Sequence, residues 1–129
     1  MPTRVVDGSA VVAFAFDEAG AEDVASALRG HQFHAPALLT YELANAALAK
    51  VRRHPQLSES FTDALRLALS LPFTLHPLET QPLFALARET SLTAYDAAYL
   101  LLAVRLDAPI VTLDRALAAA ANQLGLLAR

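Results

Sequence analysis

Asp7, Glu42, Asp96 and Asp114 are carboxylates set in or beside aliphatic runs, where an acid is a costly choice. Asp7 follows Val5 and Val6, Glu42 lies between Leu38-Leu39 and Leu43, Asp96 opens the run Ala97 to Val104, and Asp114 closes Ile110 to Leu113. Charge that close to a core needs a compensating partner. No basic residue stands three or four positions from any of them on a shared helix. Arg4 is three before Asp7, but in a strand that spacing turns the two side chains apart. If folding gathers the four acids, the natural partner is a divalent cation. Oxygen-only ligands select hard ions such as Mg²⁺ or Mn²⁺. A metal held in this way suits phosphodiester chemistry, because it activates water and neutralises charge on phosphate oxygens.

The elements that must position these acids alternate between strand and helix. Arg4 to Val6 reads as a short strand that breaks at Asp7-Gly8, and Ser9 to Phe16 then reads as helical. Ala21 to Leu28 is a second helix with Gly30 at its C′ position, and Gln32 to Ala35 is a weak strand. Pro36 suits the entrance of a long helix that runs to about Arg53 and ends at His54-Pro55. Ser58 to Leu71 follows, with Ser58 as the expected N-cap, and Phe73 to His76 is a further strand candidate. Gln81 to Glu89 and Thr93 to Leu106 are helical, Pro109 to Leu113 is the clearest strand, and Asp114 caps a helix from Arg115 through Ala121. Leu124 to Leu127 offers a last edge strand. This order predicts an α/β fold with a mostly parallel sheet.

In such sheets ligands collect beyond the carboxyl ends of the strands. Asp7 and Asp114 stand at strand ends, while Asp96 and Glu42 lie in the first turns of helices. All four are therefore expected along one edge. Each also has a plain structural reading. Asp7 and Asp114 suit N-caps, Thr93 to Asp96 resembles a capping box, and Glu42 benefits from the positive end of a helix dipole.

Composition narrows the setting. The chain of 129 residues is expected to form one domain, and its formal net charge of −3 means that any contact with nucleic acid must rely on a local patch. The absence of cysteine excludes disulfides and thiolate metal sites. The opening residues lack the features of a signal peptide and no apolar run approaches a membrane span, so a soluble cytoplasmic protein is expected. An apolar fraction of 55% leaves a surplus suited to a subunit or partner interface.

Four stretches carry a resemblance: Val5-Val6-Asp7-Gly8-Ser9-Ala10, Thr40 to Ala46 around Glu42, Leu92 to Tyr99 around Asp96, and Val111-Thr112-Leu113-Asp114. Together they resemble the acidic motifs of the PIN-domain ribonucleases, and in order and spacing they are most similar to the VapC-type toxins of bacterial toxin-antitoxin pairs. The stretch from Thr93 to Tyr99 is the most specific part. The resemblance implies a three-layer α/β/α sandwich and magnesium- or manganese-dependent cleavage of RNA, with Asp7, Glu42, Asp96 and Asp114 as metal-binding and catalytic residues. It also implies a homodimer and a cognate antitoxin that inserts a segment near the active site.

Around the acids, Ser9 is expected to hold a ligand carboxylate or meet phosphate, Asn45 to orient Glu42, and Thr112 to orient Asp114. Arg4 and Arg115 are expected beside the site. Lys50, Arg52, Arg53 and His54 read as a solvated helix end. His31, His34 and His76 lack metal-ligand spacing, and Tyr41, Tyr95 and Tyr99 read as packing residues. Phosphatases of the haloacid-dehalogenase type need a second acid where Ser9 stands, and receiver domains need a late lysine, whereas the sole lysine is Lys50. The rival is a catalytically silent binding module of the same fold, for RNA or a protein partner.

Overall fold

The computed structural model describes residues 1–129. Its strands are β1 (Thr3–Val6), β2 (Gln32–Pro36), β3 (Phe73–His76) and β4 (Ile110–Val111), in the spatial order β3-β2-β1-β4. Every pairing is parallel, with Val5 opposite both His34 and Ile110, and Val6 opposite Val111. The helices are α1 (Gly8–Ala15), α2 (Ala21–Leu28), α3 (Leu39–Arg53), α4 (Ser58–Ser70), α5 (Thr80–Thr90), α6 (Ala94–Leu106) and α7 (Arg115–Gln123). Successive strand residues face opposite sides of a sheet. Val5 and Val6 are both fully buried, so helices cover both faces and the molecule is a three-layer α/β/α sandwich.

The centre of one helical layer is α6, which packs against β1, β2 and β4 and touches α5 and α7. Its run from Ala97 to Ala103 is buried without interruption. A helix apolar on all sides must be enclosed, and this one is. Its entrance is fixed by Thr93, whose hydroxyl accepts from the Asp96 N–H at 3.1 Å. Across the sheet α1 packs with α2, α3 and α4.

Several boundaries depart from the sequence-based expectation. Pro36 ends β2 rather than opening α3; it lies beyond the last register pair with β1, Val5 to His34, where a missing N–H costs that neighbour nothing. Ser58 is not a side-chain cap. A 3-10 turn over Pro55–Leu57 runs straight into α4, so the backbone is already helical at Ser58. β4 stops at Val111 instead of Leu113, because Thr112 leaves the ladder and its hydroxyl accepts from the Asp114 N–H at 3.0 Å. Leu124 to Leu127 forms no strand. It contributes one isolated parallel bridge, Leu127 to Ile110, in which the Ile110 N–H donates to the Leu126 carbonyl at 2.6 Å. No helix is long and apolar enough to cross a membrane.

Candidate active site

The site begins at the carboxyl ends of β1 and β4. Both strands end in an acid that caps the next helix: Asp7 Oδ1 accepts from the Ala10 N–H at 3.1 Å, and Asp114 Oδ2 from the Leu117 N–H at 2.8 Å. The capping readings of Asp7 and Asp114 are thus correct descriptions, while Thr93 is an N-cap without the reciprocal bond that a capping box needs. They do not exhaust the geometry, because a cap uses only part of a carboxylate's accepting capacity.

Asp7 is the only buried charged side chain, 3% exposed. Ser9 Oγ donates to its Oδ1 at 2.7 Å, and Thr112 Oγ1 donates to its Oδ2 at 2.9 Å. Ser9 Oγ also accepts from the Leu113 N–H at 3.0 Å, so one hydroxyl ties the start of α1 to the chain leaving β4. Ser9 therefore holds a carboxylate, as expected. Thr112 contacts Asp114 through the backbone N–H, and the carboxylate it grips is that of Asp7.

Glu42, in the first turn of α3, reaches the same edge from the helical layer. Its Oε1 accepts a hydrogen bond from the Tyr99 hydroxyl. A Cβ added to Gly8 would lie 3.2 Å from that same oxygen, so glycine lets α3 approach the start of α1 closely. Tyr99 was expected only to pack. It is 1% exposed while Tyr95 is 66% exposed, so the two do not form one packing face. The overlooked signal is that Tyr99 lies three residues after Asp96, on the same side of α6. Asn45, in contrast, is exposed, and the hydrogen bond to Glu42 comes from Tyr99.

The four acids feel one another electrostatically. Burial pushes Asp7 above the ordinary carboxylate range, and the charge of Asp96 adds to this against three hydrogen bonds that oppose it. Burial raises Glu42 as well, helped by Asp7 and Asp96 and opposed by the Tyr99 hydrogen bond. Burial raises Asp96, with Asp114 contributing and the Thr93 hydrogen bond opposing. Tyr99 is pushed far up by burial and by its bond to Glu42, and it stays protonated as a donor. Asp7 couples to Glu42 and Asp96, and Asp96 to Asp114, so all four belong to one electrostatic cluster.

This donor set fits a hard divalent cation. It is all oxygen, and its raised acids would be relieved by positive charge. No three of the acids are drawn into a closed ligand cage. No acid of the cluster forms a salt bridge; the ion pairs of the molecule are Lys50 with Glu18 and Arg66 with Asp63.

The basic residues divide differently from expectation. Arg4 is turned away, its Nη1 donating to the Ala27 carbonyl at 2.7 Å. Arg115 is exposed immediately after Asp114. Lys50 leaves the solvated helix end, lies 5.1 Å from the centre of the Phe16 ring and pairs with Glu18. His34 and His76 do lie on adjacent strands, with Nδ1 and Nε2 2.8 Å apart, and burial followed by the His76 charge pulls His34 down.

An α/β/α sandwich with four acids along the carboxyl edge of its parallel sheet defines a class, and the family comparison names it: residues 4–123 match the PIN domain, so the chain belongs to the PIN-domain family. Among individual proteins it is similar to Ribonuclease VapC3 of Pyrobaculum aerophilum, with 31% identity over 119 residues that cover 88% of this chain and 91% of that protein. It is also similar to the crystal structure of PAE2754 from the same organism, at 26% identity and a TM-score of 0.73, covering 92% of this chain and 78% of that one.

Proposed function

We propose that this protein is an Mg²⁺- or Mn²⁺-dependent endoribonuclease and the toxin of a toxin-antitoxin pair. The observation that carries the reading is the electrostatic cluster of Asp7, Glu42, Asp96 and Asp114, assembled from distant parts of the chain in a PIN-family frame without a basic partner. Similarity to Ribonuclease VapC3 supports RNA as the substrate and an antitoxin as the partner.

In this reading Asp7 and Asp96 would hold the cation directly, and Glu42 and Asp114 would act through water or hold a second ion. When bound, such an ion lowers the pKa of water and offsets charge on phosphate oxygens. The chain's own contribution is positioning. Ser9, Thr112 and the Ala10 N–H hold both oxygens of Asp7 in place. Tyr99 fixes Oε1 of Glu42, leaving Oε2 for the site. Burial strengthens each of these contacts by excluding water around them.

RNA hydrolysis with Mg²⁺, with Mn²⁺ and with EDTA tests the reading. Cleavage that needs the cation and disappears in Asp96→Asn is expected. RNA or protein binding with no cation-dependent cleavage would instead identify a silent binding module. A homodimer, measured by light scattering, and relief of toxicity by the product of a neighbouring gene are the further expectations of this assignment.

A further inference from the structure

Two of the four histidines meet across the sheet. The register of β2 with β3 sets His34 opposite Thr74 and Pro36 opposite His76, so His34 and His76 are diagonal neighbours on one face. His34 Nδ1 and His76 Nε2 stand 2.8 Å apart, with ring centroids 5.1 Å apart and planes 28° from parallel. Two stacked faces cannot approach so closely, so the rings meet edge to edge. A neutral imidazole has one N–H and one lone pair, and this contact therefore holds a single proton between two ring nitrogens. Neither histidine is part of the acid cluster. His76 is the only charge that shifts His34, and no histidine is among the groups that shift Asp7, Glu42 or Asp96.

The backbone beneath the pair is fixed. β2 is hydrogen-bonded to β1 on one side and to β3 on the other, and the His76 carbonyl accepts from the Ala37 N–H at 2.8 Å. Both imidazoles are half-buried, open enough for water to reach them. Burial and the neighbouring ring hold His34 below the ordinary histidine range, which leaves it a lone pair to donate at neutral pH. Imidazole suits Zn²⁺, Cu²⁺ and Ni²⁺, whereas the all-oxygen acid cluster suits Mg²⁺ and Mn²⁺. Zinc-to-nitrogen bonds of about 2.0–2.1 Å place two nitrogens about 2.9 Å apart at a right angle and about 3.3 Å apart at a tetrahedral one. The pair therefore has to open by about half an ångström at most, with the rings turning until both lone pairs face the ion.

We infer that His34 and His76 form a second metal site, which takes a borderline divalent cation of the Zn²⁺ class in place of the proton they share. No third histidine or acid joins them, so water completes the coordination and the ion exchanges readily. When the pair is neutral, binding releases no proton, because the N–H of the donor ring moves to that ring's other nitrogen. When the pair carries an added proton the metal must displace it, so affinity falls as pH drops through the histidine range. The site stands whether or not the chain cleaves RNA, since it draws on none of the four acids.

The test is calorimetric titration of Zn²⁺ into the untagged full chain at neutral pH, with excess Mg²⁺ to occupy the acid cluster. His34→Ala and His76→Gln are each expected to weaken one Zn²⁺ site by at least about tenfold, since even the outer partners of metal ligands cost that much when lost. His31→Ala and His54→Ala are expected to leave it unchanged. A second readout needs no variant and so does not depend on any variant folding: Zn²⁺ should shift the ring nitrogen resonances of His34 and His76 in the wild-type NMR spectrum, and leave those of His31 and His54 in place. The inference is overturned if the wild-type chain binds no Zn²⁺ in excess Mg²⁺, if folded His76→Gln binds as tightly as wild type, or if His31 and His54 shift as much as the pair. Loss of RNA cleavage in the acid variants with this Zn²⁺ site intact would bear on the nuclease reading alone.

Discussion

The two ends of the sheet are made from the same strands yet carry opposite chemistry. At the amino end, where α2 and α4 finish, Phe14, Leu28, Phe33 and Leu71 line an apolar groove of about 310 Å³. At the carboxyl end, where α1, α3, α6 and α7 begin, Asp7, Glu42, Asp96 and Asp114 converge. In a parallel sheet each connecting helix starts above one edge and returns toward the other. Helix N-termini with unsatisfied N–H groups and partial positive charge therefore gather on one side. That side tolerates acids, and the other does not need them. Parallel topology thus sorts carboxylates to one edge before any ligand is considered.

The contrast is most sharply broken by removing one of the central acids. Asp7→Asn is expected to lower RNA cleavage by more than about 100-fold, since even the outer partners of metal ligands cost 10- to 100-fold when lost. The metal-free fold should stay as stable or gain stability, because the substitution relieves a buried charge. Cleavage assays with paired thermal melts check both halves, and a marked loss of metal-free stability would reduce Asp7 to a helix cap.

Thr112→Val tests whether the end of β4 serves the acid of β1. It removes the 2.9 Å bond to Asp7 Oδ2 while keeping the shape of the side chain. A loss of about tenfold or more in Mn²⁺ affinity, read by calorimetry, is the expected outcome. Unchanged affinity would mean that the hydroxyl only shapes the turn.

A smaller effect is expected from pH. Asp7, Glu42 and Asp96 are raised above ordinary values of 3.8, 4.5 and 3.8. Between those values and the raised ones, the native state holds more protons than the unfolded chain. Metal-free stability should therefore fall as pH rises through that acidic window, and the cluster's contribution should be most favourable below it. Added Mn²⁺ should offset the loss at neutral pH. Denaturant titrations in EDTA and in Mn²⁺ at several pH values would show the divergence, and parallel curves would speak against a cation at this cluster.

The smallest effect belongs to the opposite end. Arg29→Ala at the rim of the apolar groove is expected to change stability by no more than about 0.5 kcal/mol and to leave cleavage unaltered. A change in cleavage would show that the two ends communicate, which the contrast denies.

Most of the fold was legible because its signals are local. The β-branched Val5-Val6 before Asp7-Gly8, the aliphatic run after Asp96, and Ile110-Val111 before Asp114 each mark an element and its end. The misjudged boundaries share one cause. The habits of their residue types point Pro36, Ser58 and Thr112 to other roles, while the neighbouring strand, the 3-10 turn and the Asp7 carboxylate decide their backbone. The residues around the site were harder still. Tyr99 and Lys50 both have ordinary helical explanations, and nothing along the chain announces that one meets Glu42 and the other Glu18.

By itself, the sequence determined which carboxylates lie at strand ends and helix starts, since hydrophobic periodicity and capping depend on near neighbours. Tertiary structure alone decided what those carboxylates touch. Asp7 and Thr112 are far apart along the chain, as are Glu42 and Tyr99, and only the parallel pairing of β1 with β4 and the packing around α6 make them neighbours. A hydrogen bond is a contact of about 3 Å, so its partners are set by the packed chain and not by the order of its residues.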